Sequence, residues 1–176
     1  MIKIIHILNQ VQAGIGGEER ANIPPAGKKS PLGPGVMMEP HLKGTDAQII
    51  STLYCGDQYF LDHREDVTAK MVAMVKKLEA DVVICGPALN YPRFGEMAAY
   101  LAKAIHENTD IPAFAAMSIE NPATELYRKD IYIIKTPKKG GTGLTDSLKK
   151  ICSFAIKLAS QSEIVSSELD GYFPRH

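Results

Sequence analysis

The chain has 176 residues, a formal net charge of zero, 45% hydrophobic residues and 23% charged residues, which suits one domain with a sizeable core. The balanced charge disfavours a general attraction to nucleic acid or to an anionic membrane surface. The sequence contains no run of about 18 apolar residues, so we predict no membrane span. The cysteines, Cys55, Cys85 and Cys152, lie far apart without a paired spacing. We therefore expect a reducing, cytoplasmic location and no disulfide framework.

Short apolar runs alternate with helical patterns along the chain. Five of these runs are predicted to form strands, at 2–8, 47–55, 81–86, 111–117 and 130–136. Helices are predicted where apolar residues recur on one face, at 64–79, 92–107 and 145–160, with a short turn at 123–127. This alternation favours a three-layer, doubly wound α/β domain around a mostly parallel five-stranded sheet, of the Rossmann-like or flavodoxin-like type.

The connection after the first strand departs from this pattern. Residues 9–44 are rich in glycine and proline and show no regular hydrophobic period. We predict a long loop, which in a compact domain is either functional or disordered. The α/β domain is predicted to span 1–161, and 162–176 to form a tail or a linker toward a second domain.

Ligands of an open parallel sheet collect beyond the carboxyl ends of its strands, so the segments after the predicted strands form the candidate site. They combine small residues with amides and carboxylates, which favours a ligand-binding rim, although the same residue types simply end strands and turn chains. The candidate residues for binding a substrate or a subunit are Gln10, Gly14, Gly16, Gly17, Glu18, Glu19, Cys55, Asp57, Gly86, Asn90, Glu120 and Asn121.

The segment AGIGGEE, at 13–19, fits neither common phosphate-binding motif. It lacks the third glycine of the dinucleotide fingerprint and the G-K-[ST] of the P-loop, and its acidic pair would repel a pyrophosphate. Glu18 and Glu19 could instead face an ammonium group or a basic partner, or they could form a solvated acidic turn.

The remaining reactive side chains do not form a recognisable catalytic or metal-binding pattern. Cys55 and Cys85 each precede a glycine at a predicted strand end, so they could approach one another across the rim. Buried structural thiols are the simpler interpretation, because a free cysteine packs as a small hydrophobic residue. The histidines show no ligand spacing, so we expect no metal site and no catalytic residue in this chain.

Several blocks occur in order along essentially the whole chain: HILNQVQAGIGGEERANIPP, GPG, YCGDQYF, CGPALNYPRFG, IPAFAAMSIENP, KDIYIIKT and GYFPRH. With these blocks the chain resembles the N-terminal domain of the selenoprotein B subunit, or component B gamma subunit, of the glycine, sarcosine and betaine reductase family. AGIGGEE and CGPALN are the more specific blocks, because neither is a generic nucleotide-binding motif.

The resemblance implies a role in anaerobic amino-acid fermentation, in which component B binds glycine, sarcosine or betaine for reductive cleavage of a C–N bond. It implies two protein partners: a component B subunit with a pyruvoyl group, and a small carrier selenoprotein. No cofactor is expected on this chain itself. The family's selenocysteine lies in a second half that is missing here, so we expect this chain alone to be inactive.

Two other interpretations stay open. The chain could be a nonenzymatic module that assembles subunits, or a small-ligand-binding α/β module such as a flavodoxin-like nucleotide binder. The second lacks support, because the first loop carries no phosphate-binding run of serine or threonine. The sequence determines neither the amine substrate nor whether the chain forms a homo-oligomer.

Overall fold

Six strands form one sheet in the computed structural model, which describes residues 1–176. They are β1 (Ile2–Asn9), β2 (Ala26–Lys28), β3 (Ala47–Cys55), β4 (Val82–Cys85), β5 (Ala113–Met117) and β6 (Ile133–Lys135). Their order across the sheet is β2-β3-β1-β4-β5-β6. All neighbours are parallel except β2, which pairs antiparallel with β3. The five parallel strands have the order of flavodoxin-like folds, so the predicted fold class is confirmed.

Helices cover both faces of the sheet. One face carries α1 (Pro34–Leu42) and α6 (Leu144–Ala159), which pack against each other. The other face carries α2 (Asp57–Asp62), α3 (Arg64–Lys77), α4 (Pro92–Asn108) and α5 (Pro122–Tyr127). A last short helix, α7 (Ser167–Asp170), precedes the C-terminal residues. The result is the predicted three-layer arrangement.

The sheet separates two hydrophobic cores. Successive residues of a strand point to opposite faces, and β4 shows this directly. Val83 and Cys85 belong to the core beneath α3 and α4, whereas Val82 and Ile84 belong to the core beneath α1 and α6. All four are fully buried, which explains why this central strand is apolar throughout.

The segment 9–44, predicted as one long loop, contains three regular elements. They are a 3-10 turn at Glu18–Arg20, the strand β2 and the helix α1. The strand raises the total from the predicted five to six. Their local signals are weak: β2 has only three residues, all exposed, and α1 contains Gly35 and Pro40, which disfavour a helix. Pairing with β3 and burial of Met38 and Leu42 stabilise them instead.

The segment 162–176, predicted as a tail, packs back against β6. Tyr172 forms an antiparallel bridge with Ile134, and Phe173 is only 6% exposed. Asp170 accepts hydrogen bonds from the backbone N–H of Val165 at 2.7 Å. In this structure the segment therefore belongs to the same packed unit, and its continuation into a second domain stays a prediction.

Candidate functional site

A polar pocket of about 450 Å³ opens at the carboxyl edge of the sheet, among the segments that follow β1, β3 and β4. The chain leaves β1 toward β3 on one side and later returns to β4 on the other. The pocket therefore lies at the topological switch point, where open α/β sheets bind their ligands. We call it the switch-point pocket; its lining residues are Asn9, Gln10, Val11, Gln12, Glu18, Asp57, Tyr91, Pro92 and Arg93.

Asp57 is the buried centre of this pocket's polar network. Its side chain is 6% exposed, and a buried carboxylate needs charged or hydrogen-bonding partners. Oδ2 accepts from Asn9 Nδ2 at 3.0 Å, and Oδ1 accepts from Arg93 Nε at 3.0 Å. Gln10 Oε1 also accepts from the Asp57 backbone N–H at 3.1 Å. Asp57, the first residue of α2, thus binds side chains from the carboxyl ends of two other strands: Asn9 and Gln10 at the end of β1, and Arg93 after β4.

Arg93 connects this buried carboxylate to an exposed one. Its Nη1 donates to Glu18 Oε1 at 2.8 Å, and its Nη2 donates to Glu18 Oε2, which is the bidentate geometry of strong arginine–carboxylate pairs. The Arg93 side chain is 34% exposed and that of Glu18 is 75% exposed. Hydrogen bonds from Arg93 hold the pKa of Glu18 below its ordinary value, so the carboxylate is ionised at neutral pH.

The N-terminus of α2 is closed by the chain's own backbone. The Ala21 carbonyl accepts from the N–H groups of Gln58 at 3.0 Å and Tyr59 at 2.9 Å. A Cβ on Gly56 would lie 2.2 Å from that carbonyl oxygen, so only glycine permits the close approach. These N–H groups are the ones that bind phosphate in other α/β proteins. At α2 they are instead hydrogen-bonded within the chain.

Three of the predicted residues line the switch-point pocket: Gln10, Glu18 and Asp57. Glu19 does not, because its Oε1 accepts from the Gly17 backbone N–H at 2.9 Å within the turn. The predicted glycines of this turn do not line the pocket; they are Gly14, Gly16 and Gly17. Of these, Gly14 has the positive φ, 74°, that favours glycine.

Asn121 supports the pocket from outside. Its Nδ2 donates to the backbone carbonyls of Leu89 at 3.1 Å and Tyr91 at 3.0 Å, and its Oδ1 accepts from the first turn of α5 at 3.1 Å. A Cβ on Gly95 would lie 2.1 Å from Asn121 Oδ1, so the glycine makes room for the amide. These bonds hold the loop that places Arg93.

The other predicted residues after β4 and β5 lie away from the pocket. Asn90 Oδ1 accepts from the Lys139 backbone N–H at 2.8 Å and so joins two neighbouring loops. Glu120 is exposed. Gly86 packs against the backbone of β5, since a Cβ there would lie 2.7 Å from the Ala116 carbonyl oxygen.

The two rim cysteines do not meet. Cys55 is opposite Asn9 and Cys85 is opposite Ile7, on the two sides of β1. The expectation that they could approach one another is wrong, because a whole strand separates them. All three cysteines are free and buried, and burial raises the pKa of the Cys55 thiol to about 12. Such a thiol is unreactive at neutral pH, as the structural interpretation predicts.

Sequence reasoning does not single out Arg93, although it lies in a segment predicted to reach the rim. One signal was available. Arg93 is the second residue of α4, where a cation is unfavourable because the helix dipole is positive at that end. An arginine in this position indicates an acidic partner nearby, and the structure supplies Asp57 and Glu18.

A second concave surface, of about 500 Å³, lies between β2 and α3. Its floor is apolar and includes Leu53, Met71 and Met74. Its lining contains four lysines and no carboxylate, and we call it the lysine groove; the lysines are Lys28, Lys29, Lys70 and Lys77. Only Lys70 forms an ion pair, with Asp66 at 3.1 Å, so most of this positive charge is uncompensated.

The structure contains no group of three or more His, Cys, Asp or Glu side chains that could hold a metal ion. None of its helices has both the length and the apolar character needed to cross a membrane.

The fold and the pocket define a doubly wound α/β domain with a polar crevice at its switch point. The family model described as glycine/sarcosine/betaine reductase selenoprotein B (GRDB) matches residues 1–176, and the chain belongs to this family.

Curated relatives agree with the family match. The chain is 36% identical over 173 residues to the glycine reductase complex component B subunit gamma of Carboxydothermus hydrogenoformans, covering 98% of this chain and 39% of the relative. It is 35% identical over 171 residues to the sarcosine reductase complex component B subunit beta of Peptoclostridium acidaminophilum, covering 97% and 39%. It is 37% identical over 176 residues to the gamma subunit of Peptoclostridium litorale glycine reductase component B, covering 99% and 39%. The chain thus spans about two fifths of these relatives' length. No solved structure matches it.

Proposed function

We propose that this chain is the N-terminal part of a component B subunit of a glycine, sarcosine or betaine reductase complex, and that its switch-point pocket binds the small amino-acid substrate. The observation that carries the proposal is a polar pocket at the ligand-binding edge of the sheet in a chain that the family model matches from end to end. Relatives with names for different substrates match equally well, so the proposal covers the substrate class.

The chemistry of the pocket suits a small zwitterion. It presents the carboxylates of Asp57 and Glu18, the guanidinium of Arg93, and the side-chain amides of Asn9 and Gln10. Its volume of about 450 Å³ lies within the usual range for small-molecule sites. Glycine, sarcosine and betaine each combine a carboxylate with a cationic nitrogen. The ligand's carboxylate can pair with the guanidinium of the pocket, and its cationic nitrogen can pair with a carboxylate of the pocket.

We propose that the redox chemistry is carried outside these residues. Reductive cleavage of a C–N bond needs a donor of two electrons. The three cysteines are poor candidates for that donor, because they are buried and burial raises their pKa values. A selenocysteine elsewhere in the subunit and a pyruvoyl group on a partner subunit would supply the reacting groups. The role proposed for this chain is to hold and orient the substrate.

Titration of the isotope-labelled chain with glycine, sarcosine and betaine, followed by NMR, tests this function. We expect saturable shifts of the Gln10, Gln12 and Asp57 amides. Asn9→Ala removes a hydrogen bond to Asp57 and is expected to weaken binding. Asn108→Ala, at the far end of α4, is the matched control and should bind as the unaltered chain does. Absence of saturable binding by all three compounds would contradict the proposal.

Assembly with a partner subunit is a second candidate function, favoured by the lysine groove. Its apolar floor and its lysines, of which only Lys70 is paired, complement one kind of occupant. That occupant is a partner segment whose apolar side chains enter the groove while its carboxylates meet the lysines. Attraction of this kind weakens as salt screens the charges.

Binding to the purified partner subunits of the same complex, measured calorimetrically at low and high salt, tests this second function. Lys28→Glu combined with Lys29→Glu is expected to abolish salt-sensitive binding. Lys43→Glu combined with Lys149→Glu makes the same change of charge on the face of α1 and α6, and should leave binding intact. Equal effects of the two double variants would contradict a specific role for the groove.

A further inference from the structure

We propose that Arg93 is the carboxylate-binding residue of the switch-point pocket, and that Glu18 is an internal competitor that a carboxylate ligand displaces. The inference rests on the proposed function only for the identity of the natural ligand. The chemical class it assigns is a small carboxylate, recognised by a fixed guanidinium fork.

The orientation of Arg93 is set by groups that are themselves buried. Its Nε donates to Asp57 Oδ1 at 3.0 Å, and the other oxygen of Asp57 accepts from Asn9 at 3.0 Å. Asp57 and Asn9 are both buried. Because the guanidinium is planar, fixing Nε also fixes the direction of Nη1 and Nη2. These two groups present the parallel pair of donors that a carboxylate accepts.

In this structure the carboxylate that occupies the fork is that of Glu18, and its surroundings allow it to leave. Its side chain is 75% exposed, and the 3-10 turn that carries it has no buried residue. Arg93 is its only hydrogen-bond partner among side chains. Because Glu18 is largely exposed and its turn has no buried residue to hold it, water can solvate the carboxylate once it leaves, and a ligand carboxylate can take its place on Arg93.

Glu18 therefore has two conceivable roles with opposite consequences. As a competitor for Arg93, its removal must strengthen carboxylate binding. As the group that binds a ligand's ammonium, which its acidic sequence context suggests, its removal must weaken binding. Both of its oxygens already accept from Arg93, which favours the first role. The sign of one affinity change separates the two.

The experiment measures the affinity of three probes by NMR titration at low ionic strength without chloride: acetate, glycine and glycinamide. Acetate carries only the carboxylate, and glycinamide only the amine. For Glu18→Gln we expect acetate and glycine to bind about two- to fivefold more tightly. For Arg93→Lys, which keeps the charge and loses the fork, we expect binding to weaken about tenfold. The affinity for glycinamide, which has no carboxylate, should not increase in Glu18→Gln.

Glu19→Gln is the matched control. It makes the same change of charge one residue away, on a side chain that contacts the Gly17 N–H and not Arg93. Its acetate affinity should equal that of the unaltered chain. Both glutamates lie on the exposed turn, so this comparison decides the matter even if Arg93→Lys fails to fold. Tighter binding in both glutamine variants, or weaker binding in Glu18→Gln, would overturn the inference.

The outcomes distinguish this inference from the proposed function. If acetate follows the expected pattern while glycine, sarcosine and betaine do not bind, the inference stands and the proposed substrates fail. If the three substrates bind and neither Glu18→Gln nor Arg93→Lys alters their affinity, the inference falls and the proposed function stands. Failure of acetate to bind both the unaltered chain and Glu18→Gln also overturns the inference.

Discussion

His6 is expected to make the fold less stable as the pH falls below neutrality. The side chain is fully buried in β1, and its Nε2 donates to the Gly86 carbonyl oxygen at 2.6 Å. Its Nδ1 has no hydrogen-bond partner. Burial lowers the pKa of the imidazole from 6.5 to about 4, although the bond to Gly86 acts in the opposite direction. The folded chain therefore keeps His6 neutral where the unfolded chain protonates it.

The sign and size of the effect follow from the two pKa values. Between pH 6.5 and about pH 4 the unfolded state binds more protons, so the free energy of unfolding falls as the pH is lowered. The stabilisation is fully present above the unfolded value and is lost as the pH approaches the folded value. At about 1.4 kcal/mol per pH unit the whole window amounts to about 3 kcal/mol. About 2 kcal/mol of this is lost between pH 7 and pH 5.

Urea denaturation at pH 7 and pH 5 measures this loss directly. His6→Gln removes the titrating group and supplies an amide N–H donor in its place. Between pH 7 and pH 5 its free energy of unfolding should therefore fall by about 2 kcal/mol less than that of the unaltered chain. His106→Gln, at an exposed position in α4, controls for the loss of a histidine and should behave as the unaltered chain does. Protonation of carboxylates also changes the stability between pH 7 and pH 5, but equally in the unaltered chain and in both variants. The same pH dependence in His6→Gln and in the unaltered chain would refute the reasoning.

Three further predictions concern packing and burial. Gly95→Ala places a Cβ 2.1 Å from Asn121 Oδ1, and we expect thermal unfolding to show a loss of about 1–3 kcal/mol in the free energy of unfolding. An increase in stability, which alanine ordinarily brings to a helix interior, would contradict this. Phe154→Ala removes a ring 5.1 Å from that of Phe114, at a cost of about 3–5 kcal/mol, and a loss below about 1 kcal/mol would show that the core tolerates the cavity. The three buried thiols should resist a disulfide reagent in the folded chain and react in urea, and a fast-reacting thiol in the folded protein would contradict their assignment as structural.

The parallel strands and the long helices could be predicted from the sequence, because their signals are local. The strand at 47–55 has the predicted bounds, and the helix predicted at 92–107 forms as Pro92–Asn108. An apolar run buried on both faces, or an apolar stripe with helical spacing, depends only on residues within one element. The placement of a ligand-binding edge at the strand ends follows from the same alternation of strands and helices.

The tertiary structure alone decided which strand ends meet and what their side chains bind. Asn9, Asp57 and Arg93 are far apart in the chain, and they join only because β3 and β4 lie on either side of β1. The strand β2 likewise exists through its pairing with β3. Hydrogen bonds and ion pairs between distant segments leave no period in the sequence, so Glu18 could be read as a free acidic residue until the fold placed Arg93 against it.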